Sequence, residues 1–345
     1  MQNISKVVYH NTLPITGVFR ICINHSQVKE MFLVAFNNGK LAAFVKDDIN
    51  SHNHIQQPYQ TPYEINLNLQ NNDYFVSCTQ FNSLIILGTS SGLIYVQSVL
   101  ALLNNSNNIN TQQPIILYGQ SNLISYLTVI SMNNDVNTLI SCSYDGSILI
   151  RNIKDEITLT KQLHSSTINI IKGAVYLQHQ NMLLTVGEKI FMFWDMNTFE
   201  QITALQGMLP LMHINSIIEY NDKHIIWGTN ENIVLFNICV WRIDKVITLG
   251  DNVHPYFLLK MTNDSILIGC NGNRLLHVNP NDNNIKFIPQ VNATIEGSYS
   301  FIVGMFEDAS NEKVITASQD GIVIELDIMH INNEKLTMEL NDIHI

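Results

Sequence analysis

The chain has 345 residues, 46% hydrophobic and 14% charged, with 18 Lys and Arg against 29 Asp and Glu for a formal net charge of −11. The acidic excess is spread along the chain without a Lys/Arg cluster, which argues against direct nucleic-acid partners and against polybasic attachment to an anionic leaflet. No apolar run approaches the ~18 residues of a membrane span, and the first residues lack the apolar core of a secretory signal, so the sequence reads as a soluble protein.

Taken in order, the predicted elements are pairs of short β-branched or aromatic runs around a tight polar turn. The pairs fall near residues 31–46, 84–99, 138–153, 182–195, 224–238, 265–279 and 313–328. Their turns close at Gly39, Gly92, Gly146, Lys189, Asn232, Asn273 and Gly321, a mean spacing of 47, near the ~40–45 of a four-stranded propeller blade. Gly and Asn tolerate the positive φ of a tight hairpin. A further apolar run precedes each pair, among them Tyr74 to Cys78, Ile168 to Tyr176 and Phe301 to Phe306, and a weaker fourth follows most, such as Gln201 to Leu205.

This pattern predicts an all-β fold, a seven-bladed β-propeller of four-stranded antiparallel blades in a single domain spanning 1–345. The Asn/Gln/Pro-rich insertions at 47–62 and 101–114 read as flexible loops, and 329–345 as a C-terminal tail. Both Ser5–His10 and Leu336–Leu340 alternate like strands. The N-terminal segment is expected to close the last blade, because a ring latched by both chain ends leaves no free edge.

The turns Ser141-Cys142-Ser143-Tyr144-Asp145-Gly146 and Thr316-Ala317-Ser318-Gln319-Asp320-Gly321, the Trp194-Asp195 pair, and the histidines His164, His213 and His254 before later runs together resemble the repeats of WD-repeat proteins. In that family a His, a Ser/Thr, an Asp and a Trp form a hydrogen-bonded tetrad within a blade. The resemblance implies structural roles inside blades for His164, Ser143, Asp145, Trp194, Asp195, His213, Thr229, Ser318 and Asp320. No blade has all four tetrad residues: blade four presents Val186 at the hydroxyl position, and Gly119-Gln120 keeps the opening Gly without the His.

Chemical motifs yield to the repeat. Gly88-Thr89-Ser90-Ser91-Gly92 fits the nucleophile elbow of serine hydrolases, but a strand pattern follows where the elbow needs a helix, so Ser90 reads as a hairpin residue. His52 and His54 lie in a polar insertion without zinc-ligand spacing. Five cysteines, Cys22, Cys78, Cys142, Cys239 and Cys270, stand singly in apolar segments and read as reduced, buried thiols of a cytoplasmic or nuclear protein. No catalytic, metal or cofactor-binding residues are assigned.

The expected function is a non-enzymatic protein–protein interaction scaffold, a subunit of a larger intracellular assembly that binds partner peptides or domains on a propeller face. Asn37, Tyr144, Asn230 and Gln319 lie in turns that could carry such contacts, and Trp241-Arg242 combines residue types enriched at interface hot spots. The alternatives are a propeller enzyme acting on a small molecule at the central channel, and an interaction domain excised from a larger polypeptide.

Overall fold

The computed structural model describes residues 5–25, 28–45, 63–69, 72–104, 113–132, 136–164, 169–211, 213, 216–281, 284–288, 300–308 and 312–327. Strand β1 (Ser5–His10) belongs to the last sheet. The first sheet runs β2 (Ile15–His25), β3 (Val28–Phe36), β4 (Lys40–Val45), β5 (Tyr63–Asn66), and the second β6 (Phe75–Phe81), β7 (Leu84–Thr89), β8 (Ile94–Ser98), β9 (Ile115–Leu117). Helix α1 (Val99–Asn104) follows β8. The third sheet is β10 (Ile124–Met132), β11 (Val136–Ser143), β12 (Ser147–Ile153), β13 (Ile157–His164), and the fourth β14 (Gly173–Leu177), β15 (Met182–Val186), β16 (Ile190–Asp195), β17 (Glu200–Gln206). The fifth is β18 (Ile217–Glu219), β19 (His224–Gly228), β20 (Asn232–Asn237), β21 (Arg242–Thr248), and the sixth β22 (Pro255–Lys260), β23 (Ile266–Cys270), β24 (Leu275–Asn279), β25 (Asn284–Ile288). The seventh, β26 (Ile302–Asp308), β27 (Lys313–Ser318) and β28 (Ile322–Asp327), is completed by β1. These are the blades of a seven-bladed propeller, all antiparallel, with the N-terminal strand at the edge of the last as expected.

The chain divides into two compact units, one holding sheets one to three and the other sheets four to seven with β1. Within each, successive sheets bury their faces against one another. In the three-blade unit Leu33, Leu41, Ala43, Ile85, Leu87 and Tyr95 form one core between blades one and two. In the four-blade unit Leu184, Phe191, Phe193, Trp227, Val234 and Phe236 join blades four and five. Further cores follow between blades five and six and between six and seven. Each such Leu or Ile stabilises the fold by ~1.5–3 kcal/mol on burial, which is why the second and third strands of each blade are apolar on both sides.

Five of the hairpin turns fall into two geometries. At Gly39, Gly146 and Gly321 the glycine amide donates to the carbonyl three residues back and φ is positive, at 79°, 81° and 91°; this is a type I turn followed by a left-handed residue. In blades four and five the turn is shorter: Gly187 N donates to Ile190 O and Thr229 N to Asn232 O, and neither Lys189 nor Asn232 has positive φ.

Three expectations are corrected. Residues Ala101–Asn104, read as loop, are the end of helix α1, with Leu102 buried against the core of blades one and two; the rest of that insertion through 112, all of 47–62, and the tail 329–345 lie outside the described residues. The inner strand of blade four begins at Gly173, not Ile168, because Ile171 N is taken by Ser143 O of blade three. Cys142 and Cys270 are buried and Cys78 half-buried, but Cys22 and Cys239 are exposed, one at the solvent side of β2 and one in the turn before β21.

Candidate interaction surface

The polar residues assigned inside the blades do form networks, though with unexpected members. In blade four Trp194 Nε1 donates to Thr185 Oγ1 at 2.9 Å in the buried interior. Thr185, not Val186, is therefore the hydroxyl partner. In blade three the cross-strand register puts Ser141 and Arg151 at the positions of Thr185 and Trp194. Arg151 is buried; its guanidinium donates to Ser141 Oγ at 3.0 Å and to Tyr118 O at 2.7 Å. Ser141 Oγ in turn donates to Gln120 Oε1 at 2.7 Å, and Gln120 Nε2 donates to Ser141 O and Ser147 O. Gln120 and Arg151 thus stand where the family pattern has His and Trp. Burial lowers the Arg151 pKa to about 10. The sequence reading placed Gln120 at the opening position only as a missing His and did not single out Arg151, whose signal was a lone cation inside the apolar run Ser147–Ile153.

The turn acids are held by the backbone. Burial pushes the Asp145 carboxyl up, but hydrogen bonds from the Ser147 hydroxyl and amide and the Ser121 amide outweigh it and leave it below its ordinary value. Ser143 Oγ donates to Asn122 O at 2.9 Å and accepts from Asp145 N. In blade seven Ser318 Oγ bonds Asp320, whose other oxygen accepts from Asn273 of blade six at 2.8 Å. Thr229 Oγ1 turns back to Asn232 O at 3.3 Å. His164 is exposed at the end of β13, its ring 2.6 Å from the Gln162 amide, and Asp195 is half-buried at the end of β16. Ser90 lies in a hairpin turn with its hydroxyl on Asp73, and strand β8 follows.

His213 packs differently. Its ring lies 5.3 Å from Tyr256 and 5.9 Å from Phe301, and those two rings stack at 4.1 Å. Among the described residues its buried Nδ1 has no partner. Burial lowers the imidazole pKa to about 4, against a hydrogen bond with the Tyr256 backbone that favours the charged form.

The candidate contact residues divide between opposite ends of their sheets. Asn230 and Gln319 in the four-blade unit, and Asn37 and Tyr144 in the three-blade unit, sit in turns between second and third strands; Asn37, Asn230 and Gln319 are exposed and Tyr144 is half-buried. Trp241 and Arg242 sit at the other end of blade five, where the third strand passes to the fourth. Trp241 adopts φ of +55°, a left-handed conformation in which a bulky side chain is an outlier. Its ring meets Phe193 of blade four edge-on at 4.7 Å while remaining 39% exposed.

Blades four and five carry exposed apolar side chains besides Trp241. Every exposed large hydrophobic among the described residues of the four-blade unit lies on blades four and five or their connection: Ile202, Leu209, Val240, Trp241, Ile243 and Val246. Among the described residues blades six and seven have none. Asp244 accepts from Arg242 Nε at 2.8 Å, Asn237 Nδ2 at 3.0 Å and lies 3.0 Å from His224 Nε2. These hydrogen bonds, from Asn237 first, then Arg242 and His224, lower its pKa to about 2. Among the described residues no group of three or more His, Cys, Asp or Glu is arranged to hold a metal ion, and no helix is long and apolar enough to cross a membrane.

No protein-family model matches the sequence, and no curated protein is similar to it in sequence. In structure it is similar to the WD40 β-propeller domain of Doa1, with a TM-score of 0.65 at 14% identity over 97% of this chain and 100% of that one. It is likewise similar to a chain of the mitotic checkpoint complex, with a TM-score of 0.63 at 13% identity over 92% of this chain and 94% of the other. In all 1332 chains of known structure match, so the likeness identifies an architecture and not a task. What this chain shares with them is the WD40 β-propeller fold, built in this chain from seven blades.

Proposed function

We propose that the chain is a non-enzymatic protein-interaction module, an intracellular subunit of a larger assembly. The observation that carries this reading is the run of exposed apolar side chains at Val240, Trp241, Ile243 and Val246 of blade five. Exposed apolar residues scattered singly need no explanation, whereas a cluster of them beside Trp and Arg has the composition of an interface core. The strained backbone of Trp241 adds to it: a turn that glycine would close without cost instead spends conformational energy to hold an indole at the surface. The exposed turn residues Asn37, Asn230 and Gln319, with Tyr144, offer further contacts at the opposite ends of their blades. A propeller within a multi-protein assembly, as in the mitotic checkpoint complex, is an architectural precedent.

Affinity purification of the tagged protein from its native cell, followed by size-exclusion chromatography and mass spectrometry, tests the reading. Stoichiometric companions are expected, and a clean monomer without them would overturn it.

A further inference from the structure

We propose that the outer seam between β17 of blade four and β21 of blade five docks a segment of another protein that carries a row of apolar side chains beside an acidic one. This rests on the interaction-module reading and names its surface and the chemistry of its partner. The seam has an apolar floor. Ile243 and Val246 pair across the sheet with Phe236 and Val234, which belong to the core between blades four and five. All four therefore stand on the same side of the sheet, and Trp241 joins them through Phe193. From the other blade and its connection, Leu205 and Met208 pack half-buried on the same core. Val246 is 47% exposed, so the apolar surface extends from that core outwards into solvent.

Two features define the occupant. The ladder that carries β21 shifts register between Leu235 and Phe236, as the corresponding ladders of blades three and four do at Ile150/Arg151 and Phe193/Trp194. Such a bulge disfavours the addition of a further strand to the edge, so the partner engages side chains and not the β21 backbone. The charges then set its polarity. Lys245 Nζ is bound to Pro280 O, and Asp244 is ringed by Arg242, Asn237 and His224. Arg242 is 72% exposed in its side chain and uses only Nε on Asp244; among the described residues its terminal amino groups meet no acceptor. They are placed to take a carboxylate with both nitrogens. The exposed Glu200 stands at the same end of β17 and disfavours a second acid there, which places the partner's carboxylate on the blade-five side.

The test uses two fluorescein-labelled amphipathic peptides with one apolar pattern, flanked by Glu in one and Lys in the other, titrated with the full chain by fluorescence polarisation. The Glu peptide is expected to bind about tenfold or more tightly than the Lys peptide, a difference of about 1.4 kcal/mol. Arg242→Glu should reverse that order. Trp241→Gly should abolish binding with only a modest change in melting temperature, since relief of the left-handed φ offsets part of the lost contact with Phe193, and Val246→Lys should abolish it as well. Equal binding of the two peptides, or a preference that survives Arg242→Glu, overturns the assignment. So does sedimentation showing a dimer that Val246→Lys dissociates, which would make a second copy the occupant. A tenfold gain in peptide affinity on ending the chain at residue 328 overturns it too, in favour of the chain's own tail. If native companions co-purify and survive Val246→Lys, the seam assignment fails while the interaction-module reading stands.

Discussion

Replacing Arg151 by Met should stabilise the protein, although it deletes two hydrogen bonds. The guanidinium is buried in blade three with a hydroxyl and a carbonyl as partners and no carboxylate among the described residues. Burial moves its pKa from 12.5 to about 10, which corresponds to about 3 kcal/mol held against the cation in the folded state. Little is left stranded when it goes. Ser141 Oγ keeps its bond to Gln120, and Tyr118, whose carbonyl was the other acceptor, is exposed and can be hydrated. Met retains most of the apolar stem, and a volume-conserving swap costs less than about 1.5 kcal/mol. The net expectation is a gain of about 1–2 kcal/mol, in line with buried ions replaced by apolar residues elsewhere. Arg151→Ala, which also removes the stem and leaves a cavity, should instead lose about 2 kcal/mol or more. Urea unfolding followed by the fluorescence of the buried Trp194 and Trp227 reads both: the Met variant should move the midpoint up without changing the slope. If the Met variant falls alongside the Ala variant, the hydrogen bonds outweigh the desolvation and the reasoning is wrong.

Three further outcomes are expected. His213 has a folded-state pKa near 4 against an ordinary value of 6.5, so the folded state binds fewer protons between those values. Its contribution to stability is intact above pH 6.5 and is lost as the pH falls towards 4, by up to about 3 kcal/mol; His213→Phe should flatten the stability–pH curve in that window, and an unchanged slope in urea midpoints would refute it. Thr185→Val leaves the buried Trp194 Nε1 without an acceptor and should cost about 1–3 kcal/mol, with Thr185→Ser recovering most of it in thermal melts. Gly321→Ala would place a methyl carbon 1.9 Å from Asn11 O at a φ of +91°, so it should cost more than about 2 kcal/mol and expose the N-terminal strand to protease; a melt and a digestion pattern like those of the parent would refute the placement of β1.

The blades were legible in the sequence because their signal is repeated and local. A β-branched run, a turn with Gly or Asn, and a second run state the hairpin completely, and the edge strand Ser5–His10 was readable because only a chain end could fill the last outer position. The tetrad positions were harder for a definite reason. Blade four closes with a shorter turn than blade three: Thr185 is six residues before Phe191, where Ser141 is seven before Ile148. Counting back from the turn therefore lands on Val186 and misses the hydroxyl one residue earlier. The same shift puts Thr229 at the turn of blade five and Trp227 at the hydroxyl position. Gln120 read as a missing His and Arg151 was overlooked because the family pattern is written in residue names, whereas the fold asks only for a donor and acceptor pair that spans the blade interior.

The interaction surface shows the opposite balance. Trp241 and Arg242 could be singled out as residue types, but the features that make a surface of them are three-dimensional. Whether a Val or Ile on an edge strand is buried depends on which face the neighbouring blade covers, and on β21 Ile247 is buried towards blade six while Val246, one residue away, is left in solvent on the other side. Alternation alone cannot distinguish those two cases, since both residues are β-branched and both sit in a strand. The positive φ of Trp241 is likewise invisible in sequence, because the residue types that announce such a turn are Gly and Asn. A propeller repeats its blades to build a rigid frame, so what is specific to one member has to appear as departures from the repeat: a buried Arg in place of Trp in blade three, a buried imidazole among aromatic rings, and an exposed indole at the left-handed turn position that half-buried Phe199 fills in blade four. Of these only the last faces solvent beside other apolar side chains, and that is why it, and not the polar networks, is the place to look for a partner.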